Sequence, residues 1–174
     1  MDTRQTVRAL KTPVTLIALL ALVVLSANWA WDAVRAPIPR RPHPPCVVKD
    51  IGPELKPENV YVEVYNGSET NGLAKRLGQL LSADGFKVLR RVNADRNDYP
   101  ESLVVGKSED SPEVILVRQA FDNIAFQADG RTDATVDVII GANQPVPLEN
   151  PSFGVPLPDG KACVPEINVA ANVD

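Results

Sequence analysis

The chain has 174 residues, a formal net charge of −4 and 44% hydrophobic residues, of which few are aromatic. This length allows one ordinary domain with flanking segments and excludes two large domains. The acidic balance argues against a nucleic-acid partner, because nucleic-acid binders need a basic surface. One His and two Cys exclude most metal centres built from those residue types, and we predict no cofactor.

The first feature along the chain is an uncharged apolar stretch over residues 14–31. As a helix it would be about 27 Å long, close to the ~30 Å hydrocarbon core of a bilayer. Pro13 suits the first turn of such a helix, and Trp29 and Trp31 suit the lipid–water interface at its far end. We therefore predict a transmembrane helix over 14–31, with a cleaved signal peptide as the alternative.

The two cysteines indicate on which side of the membrane the body lies. Basic residues flank the apolar stretch almost equally, so the positive-inside rule does not set the orientation. Cys46 and Cys163 lie in Pro-rich flanks, a placement typical of a disulfide; the alternative is two unpaired thiols. Because a disulfide persists outside the cytosol, we predict a cytoplasmic tail over 1–13, a single-pass anchor in the cell membrane and an extracytoplasmic C-terminal body.

Residues 60–142 carry the alternating and helical patterns of one small domain. Val60, Val62 and Val64 alternate with other residues and predict a first strand. The next predicted elements are a helix from Leu73 to Asp84, strands from Phe86 to Val92 and from Ser102 to Gly106, a helix from Ser111 to Phe121, an optional strand from Ile124 to Gln127 and a last strand from Thr135 to Gly141. This β-α-β-β-α-β order predicts an α/β (α+β) fold, a small sheet with two helices on one face.

Pro-rich segments lie on both sides of this domain. Residues 32–59 are predicted to form an extended, fairly stiff linker. Residues 143–174 are predicted to form an irregular tail, tied back to the linker by the disulfide.

Four short motifs within 60–142 resemble those of the LytR C-terminal domain family, also called the LytR/CpsA C-terminal domain. They are the strand and turn from Val62 to Ser68, the helix start Gly72-Leu73-Ala74, the strand start from Gly85 to Val88 and the strand from Thr135 to Gly141. The resemblance implies an envelope protein of Gram-positive bacteria in which a membrane anchor carries this domain alone. The chain is too short to hold the LytR-CpsA-Psr catalytic domain as well, so its transferase activity is not implied.

The Gly-rich turn before the first predicted helix is one candidate ligand site. It lacks the Lys and Ser/Thr of a nucleotide-binding P-loop. Backbone N–H groups at a helix start, together with Asn66, Gly67, Ser68 and Thr70, suit an anion such as a sugar phosphate. The alternative is a turn capped by Asn66 or Thr70.

Basic side chains that follow this turn are a second candidate. Lys75, Arg76, Lys87, Arg90, Arg91 and Arg96 concentrate positive charge in an acidic chain. If the helix and the second strand pack side by side, some of them share a rim, and Lys75, Arg76, Arg90 and Arg91 are the candidates for binding anionic wall polymer. The alternative is an ordinary solvated surface.

No Ser–His or Cys–His set is present and the carboxylates are scattered, so we predict a protein that is not an enzyme. We predict that the extracytoplasmic domain binds a cell-wall component, peptidoglycan or an anionic polymer, and supports envelope integrity or wall-polymer assembly. One alternative is an adaptor that recruits glycopolymer-transferring enzymes among the envelope-assembly proteins. A weaker alternative is an unrecognised cell-wall hydrolase.

Overall fold

The computed structural model describes residues 15–30 and 44–166. The chain divides into two compact units, one ending at Arg40 and the other beginning at Arg41.

In the first unit, helix α1 covers residues 15–30, and its side chains are exposed. Among the described residues, no helix combines the length and the apolar character needed to cross a membrane. The predicted transmembrane helix over 14–31 is therefore not shown. The predicted tail over 1–13, the linker up to residue 43 and residues 167–174 lie outside the described residues.

The second unit is a mixed α/β structure. Its elements in chain order are β1 (Val47–Asp50), β2 (Glu54–Leu55), a 3₁₀ helix (Pro57–Asn59), β3 (Tyr61–Asn66), α2 (Leu73–Ala83), β4 (Lys87–Asn93), β5 (Leu103–Gly106), α3 (Pro112–Arg118), β6 (Ala125–Ala128), β7 (Val136–Ile140), β8 (Val155–Pro156) and β9 (Lys161–Val164). The predicted strands and helices over 60–142 are all present, and the optional strand is β6.

The central sheet has five strands in the order β4-β3-β7-β5-β6. Strands β4 and β7 run parallel to β3, whereas β5 runs antiparallel to β7 and parallel to β6. The carboxyl ends of β3, β4 and β7 therefore meet at one edge of the sheet. The loops that follow these three strands form the candidate site.

The main hydrophobic core lies between the sheet and the two helices α2 and α3. Its strand residues are aliphatic, as the composition requires, and include Val62, Val64 and Val138, while α2 and α3 contribute residues such as Leu81 and Leu116. Because β-branched valines pack well on a pleated surface, these strands are buried and regular. The opposite face of the sheet has a smaller cluster of Tyr65, Leu103, Val105 and Ile139.

The folded unit extends beyond the predicted domain on both sides. Within the described residues 44–59 and 143–166, this corrects the predicted linker over 32–59 and the predicted irregular tail over 143–174. Strand β1 pairs antiparallel with β9, and β2 pairs with β8. Leu55 and Leu157 join the main core, and the Phe153 ring contacts the Phe86 ring edge-on at 5.2 Å between centroids. These strands are short and pair across a hundred residues or more, so local periodicity does not reveal them.

The predicted disulfide is confirmed. Cys46 and Cys163 are bonded, their Cα atoms lie 5.3 Å apart, and they are separated by 117 residues in sequence. Cys163 lies in β9 opposite Val48, and Cys46 immediately precedes β1. The bond therefore joins the two strands that close the outer part of the unit.

Candidate functional site

A groove of about 350 Å³ lies where the loops after β3, β4 and β7 meet. We call it the polar groove, because its lining includes the polar side chains of Ser68, Glu69, Thr70, Asn97, Asp98 and Gln144. Tyr99, Pro100 and Ala142 form the rest of its wall. The crevice outside the carboxyl ends of parallel strands is a common place for ligands in α/β sheets.

The turn after β3 is held by its own hydrogen bonds. The Asn66 side-chain amide donates to the Thr70 carbonyl at 2.9 Å, and its oxygen accepts from the Ser68 hydroxyl at 3.0 Å. The Ser68 hydroxyl also accepts from the Thr70 N–H at 3.3 Å. This network matches the alternative of a turn capped by Asn66. Asn66 and Ser68 therefore fix the conformation of the turn that forms one side of the groove.

Gly67 allows the loop after β4 to approach the turn closely. A Cβ atom at residue 67 would lie 2.5 Å from Cδ2 of Tyr99 and 3.2 Å from Cγ2 of Ile139, so a larger residue would displace the Tyr99 ring. The Tyr99 N–H donates to the Gly67 carbonyl at 3.0 Å, and the Ala142 N–H donates to the Tyr99 carbonyl at 2.8 Å. Backbone hydrogen bonds thus tie the three loops into one rigid frame.

Tyr99 is held by polar partners as well as by packing. Its hydroxyl donates to the Asp95 carboxylate at 2.9 Å, and the Arg96 guanidinium lies 4.2 Å from the ring centroid. Partial burial, reinforced by the hydrogen bond to Asp95, raises the pKa of Tyr99. The phenol is therefore protonated at neutral pH and serves as a fixed wall of the polar groove.

The charge of the polar groove is not the charge that the predicted anion site requires. Among its described lining residues, Glu69 and Asp98 are acidic and none is Lys or Arg. Helix α2 begins after Gly72, which has a φ of 83° and makes no side-chain cap. The Arg96 guanidinium lies 3.5 Å from the Asp98 carboxylate and offsets part of its charge, so the groove is only mildly acidic. The lining therefore favours a neutral polar ligand over an anion.

The structure does not bring the four basic candidates to one rim. Arg90 lies opposite the buried Glu63 in the sheet register, whereas Arg91 lies opposite Val64 and so projects to the other face. Arg91 donates to the Ser82 hydroxyl at 3.0 Å and therefore lies against α2. Lys75 and Arg76 belong to α2 itself. Ligand binding by Asn66, Gly67, Ser68, Thr70, Lys75, Arg76, Arg90 and Arg91 stays a prediction.

A second groove, of about 210 Å³, lies between α2 and the loop after β7. We call it the apolar groove, because most of its lining consists of Leu73, Leu77, Leu80, Ile140, Pro145 and Pro147. Arg76 and Gln144 are the polar residues of its lining. Gln144 lines both grooves, which therefore adjoin.

A buried ion cluster at the start of β7 was missed from the sequence. The Arg131 guanidinium donates to both oxygens of Asp137 at 2.9 Å and also to Asp129 and Thr135. Burial by itself would lower the pKa of Arg131, but its hydrogen bonds to Asp137 and Asp129 outweigh burial and raise that pKa. Asp137, which lies between two valines in a predicted strand, could have indicated this cluster, because a buried carboxylate needs a nearby cation.

The buried carboxylates of the sheet have structural partners. Glu63 and Asp137 are neighbours across β3 and β7, and the Tyr65 hydroxyl donates to Glu63. Arg131 holds Asp137. These contacts account for the burial of both carboxylates.

The fold and the grooves together define a small mixed α/β domain with a loop-lined crevice at the carboxyl edge of its sheet. Residues 59–143 of this domain match the LytR_C family, described as LytR cell envelope-related transcriptional attenuator. This region is therefore a LytR_C domain, and the resemblance inferred from the four motifs is confirmed.

Two known proteins are similar to parts of the chain. The cell wall biosynthesis protein LcpA of Corynebacterium glutamicum is 27% identical over 93 residues, which cover 53% of this chain and 18% of LcpA. The soluble domain of a conserved hypothetical secreted protein from Mycobacterium marinum is 22% identical, with a TM-score of 0.49 over 58% of this chain and 70% of that domain. The family description and the name of LcpA both concern the cell envelope or wall.

Proposed function

We propose that this chain is a cell-envelope protein whose LytR_C domain binds a cell-wall component in the polar groove and so supports envelope integrity or wall-polymer assembly. The family match and the similarity to LcpA support the envelope role. The observation that carries the binding role is the polar groove, where a rigid backbone frame presents hydroxyl, amide and carboxylate groups. Proteins recognise sugars through such groups, so the glycan of peptidoglycan is the ligand that we favour.

The charge of the groove separates the two wall ligands predicted from the sequence. An anionic wall polymer would place phosphate or carboxylate groups beside Glu69, which costs electrostatic energy, and beside Asp98, whose charge Arg96 partly offsets. A glycan brings neutral hydroxyl and amide groups that hydrogen-bond to the same carboxylates. Peptidoglycan therefore fits the groove better than an anionic polymer.

We also propose that the domain lies outside the cytosol and that the apolar segment 14–31 anchors it. The Cys46–Cys163 disulfide supports the exported location, because disulfides persist in oxidising compartments. The absence of charge in 14–31 supports the anchor. The redox state of both cysteines in intact cells tests the location, and a fully reduced pair would contradict it.

The binding proposal is tested by sedimentation of the full-length protein with purified peptidoglycan. We expect the unaltered protein to co-sediment and Glu69→Gln to bind at least threefold more weakly, because an exposed carboxylate of the groove lining loses its charge. Glu58→Gln makes the same change at an exposed position of the 3₁₀ helix, outside the lining, and is the matched control, with unchanged binding expected. Equal effects of the two substitutions would contradict the groove assignment, and no sedimentation of the unaltered protein would favour the adaptor alternative.

A further inference from the structure

The apolar groove leaves part of the apolar face of α2 open to solvent. Leu80 of α2 lines the groove and has 36% of its surface exposed, and the half-buried Pro145 and Pro147 of the facing loop line it from the other side. Exposed apolar residues that cluster around a groove are typical of a binding surface, in contrast to isolated ones. The volume of about 210 Å³ is below the ~300–1,000 Å³ of a typical ligand pocket, so the groove suits a few small side chains of a larger ligand.

The wall of the apolar groove is held in place from behind. The Leu148 N–H donates to the Ala120 carbonyl at 3.0 Å, and the Asp122 N–H donates to the Val146 carbonyl at 2.9 Å. These bonds fix the loop after β7 to the chain that follows α3. Because the groove is formed in advance, a ligand would lose little free energy in ordering it.

The two adjoining grooves differ in the chemistry that they can bind. The polar groove presents carboxylates, hydroxyls and amides. The apolar groove presents leucine and proline side chains with the single cation Arg76. A ligand that fills both must combine a polyhydroxylated part, small apolar groups and a carboxylate within a short distance.

We infer that the two grooves form one cleft for a glycan that carries a short peptide. The sugar lies in the polar groove, and the small apolar side chains of the peptide lie against Leu77 and Leu80. A peptide carboxylate pairs with Arg76, which supplies the charge complementarity. This inference rests on the proposed wall-binding function and deepens it, because it assigns the peptide-bearing part of the polymer to a named subsite.

The test compares two soluble ligands on the full-length protein. One is the disaccharide–peptide fragment that a muramidase releases from peptidoglycan, and the other is the same disaccharide with its lactyl group capped as a simple amide in place of the peptide. The cap avoids the free lactyl carboxylate that hydrolysis by an amidase would leave. We expect the dissociation constant of the intact fragment, measured by calorimetry, to be at least tenfold lower than that of the bare disaccharide. Equal constants would overturn the inference while leaving glycan binding in place, and no binding of either would contradict both the inference and the proposed function.

Two substitutions locate the peptide subsite. We expect Leu80→Ser and Arg76→Gln each to raise the dissociation constant of the intact fragment at least fivefold and to leave that of the bare disaccharide unchanged. Gln79→Ser, on the exposed side of α2 and outside the lining, is the control and should change neither. An equal loss for both ligands would overturn the assignment, and thermal melting of each variant confirms that it is folded.

Discussion

At the scale of single residues, Arg131 illustrates how one cation organises a buried part of this domain. Its guanidinium bridges Asp129 in the preceding loop and Asp137 in β7, and its side chain is only 12% exposed. The neighbouring Thr132 carbonyl accepts a hydrogen bond from the Cys46 N–H at 3.0 Å. The ion cluster therefore fixes the loop against which the first described residues of the second unit dock.

We expect Arg131→Met to destabilise the protein by about 3 kcal/mol, because removing one partner of a buried ion pair leaves a carboxylate that has lost its strongest donors. Urea unfolding monitored by circular dichroism measures the change. Arg118→Met, which breaks the more exposed pair with Glu109, is the control and should cost less than about 1 kcal/mol. Similar losses for the two variants would show that burial of the Arg131 cluster adds nothing to the free energy of unfolding.

At the scale of elements, the central strands and helices were predictable because their apolar residues recur with clear periods. Val62 and Val64 in β3 and Leu73 to Leu81 in α2 are examples. Strands β2 and β8 have two residues each, and their pairing depends on partners far away in sequence. No local pattern in a Pro-rich segment identifies a partner so far away, so these strand pairs could be found only in the structure.

The candidate site was only partly predictable for the same reason. The turn after β3 was expected from Asn66-Gly67-Ser68, and the structure shows that turn. Tyr99 and Gln144 were missed, because they reach the groove only through the order of strands β4, β3 and β7. Some of the basic residues were expected to share a rim, but Arg90 and Arg91 do not share a face of the sheet, because consecutive strand residues point to opposite faces.

The first turn of α3 contains a buried carboxyl group, Glu113. Burial is the main influence on it and raises its pKa above the ordinary value of 4.5. Below pH 4.5 the group is protonated in both the folded and the unfolded state, so it has no effect on stability. As the pH rises through 4.5 toward the raised folded pKa, the unfolded state loses the proton more readily, and the folded state loses stability.

We therefore expect Glu113→Gln to have the same free energy of unfolding as the parent at pH 3 and a higher one at pH 7. Urea unfolding at both pH values measures this difference. Glu58→Gln, at an exposed position of the 3₁₀ helix, should show no such pH-dependent gain. A stabilisation by Glu113→Gln that is already complete at pH 3 would contradict the argument from burial.

At the scale of the whole molecule, the segments on the two sides of the LytR_C region pair with each other. Strands β1 and β2 come before the LytR_C region, and β8 and β9 come after it. They pair with each other, and their side chains Leu55, Val155 and Ala162 complete the core beneath α3 and the sheet. The LytR_C match over 59–143 therefore covers the five-stranded sheet, α2 and α3. It does not cover the strand pairs β1–β9 and β2–β8, which we call the clasp.

The disulfide secures this clasp, and its effect on stability should be large. In the chain-entropy model, a cross-link between residues 117 apart lowers the entropy of the unfolded chain and stabilises the fold by about 4–5 kcal/mol. We expect dithiothreitol to lower the free energy of unfolding by this amount in the parent protein. Replacement of Cys46 and Cys163 together by Ser should give the same loss and make the protein insensitive to dithiothreitol. An unfolding midpoint that does not change on reduction would contradict this estimate from chain entropy.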